Sequence, residues 1–148
     1  MSVEENVVLM RRWFREVWNE GRMEAIPELM AKDAVGMGET EDGSPLRGPG
    51  EFTEFARRTR AAFPDIAVSI QDIFGYEDRV VIRWSASMTH KGEYFGLAPS
   101  NTRIKITGMS MAQLERGQII AGWDNWDQLG LMKQLGIYQP QPVLAKTA

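Results

Sequence analysis

The sequence contains no cysteine and only one histidine among its 148 residues. Without cysteine the chain can form no disulfide, no thiolate nucleophile and no zinc–thiolate site. One histidine also excludes metal sites built from several imidazoles, and the acidic residues lack the spacing of an EF-hand calcium loop. The sequence therefore contains none of the common metal-binding patterns.

An excess of basic charge and long hydrophobic runs are missing as well. Lysine and arginine number 17 against 20 aspartates and glutamates, which gives a net charge of -3, so charge provides no reason to expect binding to nucleic acid or to an anionic membrane. No apolar run approaches the ~20 residues of a membrane span, and the acidic start Met-Ser-Val-Glu-Glu differs from a signal peptide. These absences predict a cytoplasmic protein without nucleic-acid or membrane partners.

The residues that are present have the composition of a soluble globular protein. Hydrophobic residues make up 43% and charged residues 25% of the chain, and the length predicts one domain over residues 1–148, with a loosely held tail from 138 onward. Five tryptophans and nine methionines predict an adaptable, aromatic-rich interior, which suits either a generous core or a large pocket.

Hydrophobic spacing predicts three helices in the first half of the chain. Apolar residues recur every three or four positions over residues 2–19, over 23–31, and from Pro49 or Glu51 to Phe63. Ser2 and Glu5 have the spacing of a capping box at the start of the first helix.

Two connecting segments lie between these helices. Residues 33–38 are predicted as a short extended piece. Residues 39–50 are rich in glycine, proline and charge, which predicts a surface connection or a pocket lid.

Period-two alternation after the helices predicts a run of four long antiparallel strands, at about 66–74, 80–90, 102–115 and 118–125. In the first strand the even-numbered residues form the more apolar face. In the second, His90 is in line with the apolar face that includes Trp84. The third is predicted to bulge at Gly108, and its pattern leaves open which of two faces points inward: that of Met109, Met111 and Gln113, or that of Ser110, Ala112 and Leu114.

Asp127 stands where the last strand changes to a short C-terminal helix that ends at Gly136. Aspartate is favoured as a helix N-cap because its oxygen accepts an unpaired backbone N–H. The same carboxylate at the wall of an apolar pocket would have a raised pKa and could work as a base or acid. Asp124 is one register away, and a slip or bulge would exchange the two.

Helices followed by antiparallel strands predict an α+β fold. Three N-terminal helices would pack on a strongly curved, mostly antiparallel sheet, with the short C-terminal helix at its end. Such a cone-shaped α+β barrel would enclose an apolar interior that can bind a hydrophobic small molecule.

Four segments carry a resemblance to a known family. They are Phe63-Pro64-Asp65, the strand Asp78–Trp84, Thr89-His90-Lys91-Gly92-Glu93 with Gly96 and Pro99 following, and Trp123 through Asp127-Gln128-Leu129-Gly130 to Gly136. In this order they resemble the SnoaL-like polyketide cyclases, of the nuclear transport factor two-like, or ketosteroid-isomerase-like, superfamily. The resemblance extends from about Val7 to Gly136 and implies the same cone-shaped fold.

The resemblance implies a homodimer that closes a ring in a polyketide ester by an intramolecular aldol reaction, without cofactor or metal. In that mechanism an aspartate removes a proton from an activated carbon and returns one to the carbonyl oxygen. Asp127 matches the aspartate, His90 matches a pocket histidine, and Gln113 lies where a polar pocket residue is expected. Because neighbouring carbonyls already acidify such a carbon, one positioned base, one donor for the oxyanion and a dry cavity suffice.

The expected pocket wall combines aromatic and thioether side chains with one amide. Family members often carry a histidine where this chain has Met37, which leaves the substrate and the reaction open. The predicted substrate-binding residues are Phe14, Trp18, Met37, Trp84, Met109, Met111, Gln113 and Trp123.

Two other functions remain open beside the cyclase. The same pocket could serve isomerisation, dehydration or hydroxylation of a hydrophobic substrate, because this fold hosts many reactions. Alternatively, the cone could be a non-catalytic module for ligand binding or dimerisation. The position of Asp127 separates these hypotheses: a carboxylate on a dry pocket floor favours an enzyme, and one that only caps the last helix favours a binding module.

Overall fold

A computed structural model of the chain describes residues 1–138 and 141; the predicted loose tail lies mostly outside these residues. The helices are α1 (Val3–Trp13), which continues as a π-helical segment (Phe14–Asn19), α2 (Ala25–Leu29), α3 (Gly48–Ala62) and α4 (Gln128–Leu135). The strands are β1 (Met30–Met37), β2 (Leu46–Arg47), β3 (Ala67–Tyr76), β4 (Arg79–Thr89), β5 (Arg103–Glu115) and β6 (Gln118–Trp126). No helix among the described residues is long and apolar enough to span a membrane.

The strands form one curved sheet in the order β2-β1-β6-β5-β4-β3. The pairs are antiparallel except for β1 and β6, which run parallel. The predicted α+β class with a mostly antiparallel sheet is confirmed, and β1 and β2 extend the predicted four strands. The edge strands β2 and β3 do not pair with each other in the described part of the chain, so the cone is an open one.

Local signals in the sequence account for the ends of the first helices. The Ser2 hydroxyl accepts a 3.0 Å hydrogen bond from the Glu5 backbone N–H, as predicted for the cap of α1. The predicted helix does reach Asn19, but its last turns are widened into the π form. Helix α2 is shorter than predicted because Met30 adopts an extended conformation and begins β1.

The inward face of β3 changes along the strand. Its pairing with β4 shifts register between Ile70 and Asp72, and one extra residue moves the following side chains to the opposite face. Ile73 therefore packs on the core, whereas Phe74 is 59% exposed. The even-numbered residues, which form the more apolar face in the sequence, therefore do not face inward beyond this bulge.

Strand β5 turns Ser110, Ala112 and Leu114 inward, where all three are buried. Gly108 is paired regularly with Trp84 of β4, so the predicted bulge at this position is wrong; the register shift occurs between Gln113 and Leu114 instead. A Cβ atom at Gly108 would lie 2.3 Å from the Trp84 ring. The glycine thus provides the space in which that indole lies.

A two-residue turn sets the register of β6 against β5. Arg116 and Gly117 both have positive φ, 51° and 76°, the combination that a tight hairpin favours. The buried residues form two clusters, one under α1 and α3 and one near α4. Trp18, Val68 and Trp84 contact both clusters, and the cavity lies along these shared residues.

Candidate active site

A cavity of about 140 Å³ lies between the helices and the inner face of the sheet. This volume is close to that of a cavity that admits a benzene-sized molecule. Most of its wall is aromatic or aliphatic, with Phe52 and Phe55 of α3 facing the sheet. The polar side chains in the lining are Glu39, Glu41, Thr59, Tyr94, Ser110 and Asp124. A ligand that fits is therefore apolar, with few polar groups.

Asp124 projects inward near the C-terminal end of β6 and ends a short chain of hydrogen bonds. The indole N–H of Trp84 donates to Ser110 Oγ at 3.0 Å, and the Ser110 hydroxyl donates to Asp124 Oδ1. Ser110 is paired with Asp124 across β5 and β6. Because each donor is itself held by a strand, the carboxylate has a fixed position at the cavity wall.

Glu39, just after β1, places a second carboxyl group beside Asp124. Glu39 is only 8% exposed, and its carboxyl lies against two glycines of the inner sheet face. A Cβ at Gly36 would be 2.6 Å from Glu39 Oε1, and one at Gly122 would be 3.9 Å from it. The parallel pairing of β1 with β6 brings these two glycines opposite each other.

The backbone on either side of Glu39 is fastened to β6. The Trp126 indole N–H donates to the Glu39 carbonyl at 2.9 Å. Gly38 has φ 88°, and a Cβ there would lie 1.9 Å from the Asp124 carbonyl oxygen. Only glycine permits this close approach, which brings the Glu39 and Asp124 side chains together.

Burial dominates the electrostatics of the two carboxyls. It raises the pKa of Glu39 from 4.5 to about 9, helped by the hydrogen bond and the charge of Asp124. Burial also raises the pKa of Asp124, although hydrogen bonds from Glu39 and Ser110 favour its charged form. Two adjacent carboxyls do not ionise together in an apolar site. Of the two carboxyls, Glu39 therefore holds its proton more firmly, and Asp124 is the first to ionise.

A second polar cluster borders the cavity, formed by Tyr94, Glu41 and Arg58. The Tyr94 hydroxyl donates to Glu41 Oε1 at 2.7 Å, and Arg58 pairs with Glu41 Oε2 at 3.2 Å. Burial, and then the hydrogen bond to Glu41, raise the pKa of Tyr94 above its usual range. The phenol therefore stays neutral and joins the loop after β4 to the loop after β1.

Asp127 is not in the cavity, and its predicted place in the pocket is wrong. It is exposed and caps α4, where its Oδ1 accepts a 2.8 Å hydrogen bond from the Gly130 N–H. It borders a shallow groove on the outer side of the sheet. Along β6 the residues with the parity of Asp127 point outward, so Asp124, the alternative of opposite parity, is the inward carboxylate.

His90 is fully buried, as its alignment with the apolar face predicts, but it lies outside the cavity lining. Its Nδ1 is 2.9 Å from Ser100 Oγ, and its ring packs against Phe63 at 5.8 Å. Because His90 follows the end of β4, the loop to Thr102 closes over it. The predicted pocket contact is therefore wrong, and the imidazole holds this loop.

The remaining predicted pocket residues divide by strand face. Phe14, Trp18 and Trp84 line the cavity, and Met111 borders it although it has the parity of the outward residues of β5. Four others lie outside its lining, on the outer side of the sheet, because their strands turn the alternate residues inward: Met37, Met109, Gln113 and Trp123.

Two contacts show what the outward residues do instead. Gln113 donates to Asp78 Oδ2 at 2.7 Å, which ties β5 to the turn before β4. The guanidinium of Arg79 lies 5.2 Å from the centre of the Trp123 ring. Both side chains therefore stabilise the outer face of the sheet.

The sequence alone did not predict four of the residues at the site: Glu39, Glu41, Tyr94 and Ser110. Ser110 belonged to the strand face that the pattern left undecided. Glu39 and Glu41 fall in the segment predicted as a connection or lid. The one local signal was Gly36-Met37-Gly38 directly before Glu39, because glycines at a strand end often mark a close backbone approach.

Comparisons with known proteins agree with this fold. The model of the family described as SnoaL-like polyketide cyclase matches residues 8–135. IdmH of Streptomyces antibioticus, a candidate polyketide cyclase, is 30% identical over 82% of this chain and 91% of its own, with a TM-score of 0.71. A candidate polyketide cyclase of Acidithiobacillus ferrooxidans is 28% identical over 93% of this chain and 99% of its own, with a TM-score of 0.77.

A further structure shows the likeness of fold alone. AclR of Streptomyces galilaeus, a candidate hydroxylase, has a TM-score of 0.82 at 23% identity and covers 95% of this chain and 87% of its own. No curated protein sequence matches the chain. The fold is therefore shared among proteins assigned to different reactions.

Proposed function

The chain belongs to the SnoaL-like polyketide cyclase family, and on this basis we propose that it closes a carbon ring in an apolar, polyketide-type substrate by an intramolecular aldol reaction. Asp124 is the general base. The observation that carries the proposal is the Asp124 carboxylate in the wall of an apolar cavity, fixed by Ser110 and Trp84.

The surroundings of Asp124 suit removal of a proton from carbon. Burial raises the pKa of this carboxylate, which makes it a stronger base than an exposed aspartate. The apolar wall excludes water from the enolate that forms, and the ring contacts orient the substrate chain. The hydrogen bond from Ser110 favours the charged form, which is the form that accepts the proton.

A catalytic role explains the buried carboxyls better than a binding role does. The cap formed by Asp127 alone favours a binding module, but Asp124 supplies an inward carboxylate from the same strand. A pocket that only binds apolar molecules gains nothing from two adjacent ionisable groups, whose burial costs stability. Isomerisation or dehydration would begin with the same proton removal, and the substrate's acceptor carbon then decides the outcome.

The test measures the base directly and uses Asp127 as the matched control. The probe is 5-nitrobenzisoxazole, a small apolar compound whose ring opening needs a base and releases a coloured phenolate. Asp124→Asn should reduce the wild-type rate by about 10²-fold or more, and Asp127→Asn should stay within a few-fold. If folded Asp124→Asn keeps the wild-type rate, or wild type is no faster than an equal concentration of acetate, Asp124 is not the base.

A further inference from the structure

We propose that Glu39 is a second catalytic residue, which gives its proton to the substrate's carbonyl oxygen while Asp124 takes the proton from carbon. This inference rests on the proposed ring closure. It replaces the single aspartate, acting in turn as base and acid, by two carboxyls that divide these tasks.

The first support is the buried position of the Glu39 carboxyl against the sheet. The side chain is 8% exposed, and the parallel contact of β1 with β6 provides the two glycines, Gly36 and Gly122, over which its carboxyl lies. A methyl group at Gly36 would occupy the same space as Oε1. The absence of a side chain at Gly36 thus provides the space that this carboxyl occupies.

The second support is one oxygen of the Glu39 carboxyl. Glu39 Oε2 is buried and has no hydrogen-bond partner among the described residues, while Glu39 lines the cavity. Leaving a buried polar atom unpaired destabilises the folded protein. A carbonyl or enolate oxygen can only accept, so on substrate binding the Glu39 proton must point from Oε2 to that oxygen instead of to Asp124, and the buried oxygen then gains a partner.

The third support is the order in which the two carboxyls lose their protons. Asp124 already accepts from Ser110, which favours its charged form, whereas burial and the neighbouring Asp124 both favour the protonated form of Glu39. Asp124 is therefore the first of the two to ionise, and in the singly protonated pair the proton resides on Glu39. A neutral carboxylic acid is the donor that a developing oxyanion needs.

The reaction balances with this one proton. Asp124 removes a proton from the substrate carbon, and the released electron pair forms the new C–C bond to the carbonyl carbon. The π electrons of that carbonyl move to its oxygen, which takes the proton from Glu39 and becomes a hydroxyl. The proton now on Asp124 then passes along the carboxyl–carboxyl hydrogen bond to Glu39, and the initial state returns without a co-reactant.

The first test asks whether Glu39 holds a proton, and it needs no substrate. Infrared difference spectra between wild type and Glu39→Gln at neutral pH should show the loss of one protonated-carboxyl C=O band, whereas Asp127→Asn should leave that band in place. A wild-type protein without such a band, or a band that persists in Glu39→Gln, would overturn the proposal.

The second test separates the acid from the base. Ring opening of 5-nitrobenzisoxazole needs only the base, so its rate in Glu39→Gln should fall much less than the rate of a reaction that needs both groups. Retro-aldol cleavage of 4-hydroxy-4-(6-methoxy-2-naphthyl)butan-2-one, which releases a fluorescent aldehyde, needs both groups and should fall by about 10²-fold or more. The wild-type retro-aldol rate should fall above pH 9, and Glu39→Gln should lack this limb.

The outcomes distinguish the two proposals. Equal losses on both probes in Glu39→Gln would mean that Glu39 only supports the structure, and no loss on either would mean that it is not the acid. Failure of Asp124→Asn to slow the benzisoxazole probe would instead refute the base, and with it the ring closure on which Glu39 depends.

Discussion

The hydroxyl of Tyr94 donates a 2.7 Å hydrogen bond to Glu41 Oε1 and so joins two loops that border the cavity. Arg58 of α3 holds the other oxygen of Glu41 at 3.2 Å. A cavity of about 140 Å³ holds one small ring, so a polyketide of several rings needs it to widen. We predict that a large substrate enters between these two loops and breaks the Tyr94–Glu41 bond.

Tyr94→Phe should speed ligand entry and lower stability. Loss of the hydrogen bond to a charged group should cost about 1.5–3 kcal/mol in the free energy of unfolding. The association rate of 2-naphthol, followed by quenching of the tryptophans in the cavity wall, should rise several-fold in stopped-flow experiments. Tyr76→Phe is the matched control, because Tyr76 is 74% exposed on β3; equal rates in both variants would contradict the role of the Tyr94 bond.

Glu39 should make the protein less stable as the pH rises. Its pKa is about 9 in the folded protein against an ordinary 4.5, so between these values the folded state holds a proton that the unfolded state has lost. Stability is then complete below pH 4.5 and declines up to about pH 9. Each unit of pKa difference corresponds to about 1.4 kcal/mol.

Glu39→Gln should flatten this decline, because the neutral amide can donate to Asp124 at every pH. Urea unfolding at pH 5, 7 and 9 measures the effect, and the variant should exceed wild type in stability by about 2 kcal/mol or more at pH 9. At pH 5 the two proteins should be close to each other. Parallel pH dependences in wild type and variant would show that Glu39 is not the buried titrating group.

Much of the fold follows from local pattern, whereas the choice of carboxylate does not. Alternation in β4, the Ser2 cap, and the Asp127 and Gly136 ends of α4 are short-range features, and they were predicted from neighbouring residues. Strand β6 has aromatic residues on both faces, Trp123 outside and Trp126 inside, so hydrophobicity does not tell which face is buried.

The buried position of the Glu39 carboxyl depends on contacts between distant parts of the chain. Gly36 and Gly122 become neighbours only through the parallel pairing of β1 with β6, which no local pattern specifies. The same pairing buries Glu39, whose charge and position in a glycine- and proline-rich segment predict exposure. The position of Glu39 therefore depends on long-range strand register, which local sequence patterns do not predict. The surrounding helices and strands follow from such patterns.

Asp127→Ala should affect stability without affecting the cavity. The side chain caps α4 through the Gly130 N–H, and loss of such a cap costs about 1 kcal/mol. Thermal unfolding should show a lower midpoint, and ring opening of 5-nitrobenzisoxazole should stay within a few-fold of wild type. A rate loss as large as that of Asp124→Asn would restore Asp127 as the candidate base.

Gly36→Ala should displace the Glu39 carboxyl while leaving the backbone of β1 intact. The new Cβ would lie 2.6 Å from Glu39 Oε1, so the side chain must move away from Asp124. We expect the retro-aldol rate to fall as it does in Glu39→Gln, and the double variant to be no slower than the slower single variant. Gly50→Ala is the control, since nothing lies within 4 Å of a Cβ there; additive losses in the double variant would mean that Gly36 acts independently of Glu39.

Ser110→Ala should move the acid limb of the pH–rate profile to higher pH. The Ser110 hydroxyl donates to Asp124 and lowers the pKa of that carboxylate against the effect of burial, so its loss makes Asp124 easier to protonate. The base is then inactive over a wider acidic range, and the benzisoxazole rate at pH 6 should fall more than the rate at pH 8. Trp84→Phe should shift the limb less, because the indole N–H acts through Ser110 at 3.0 Å. An acid limb at the same pH in wild type and Ser110→Ala would mean that another group carries the base.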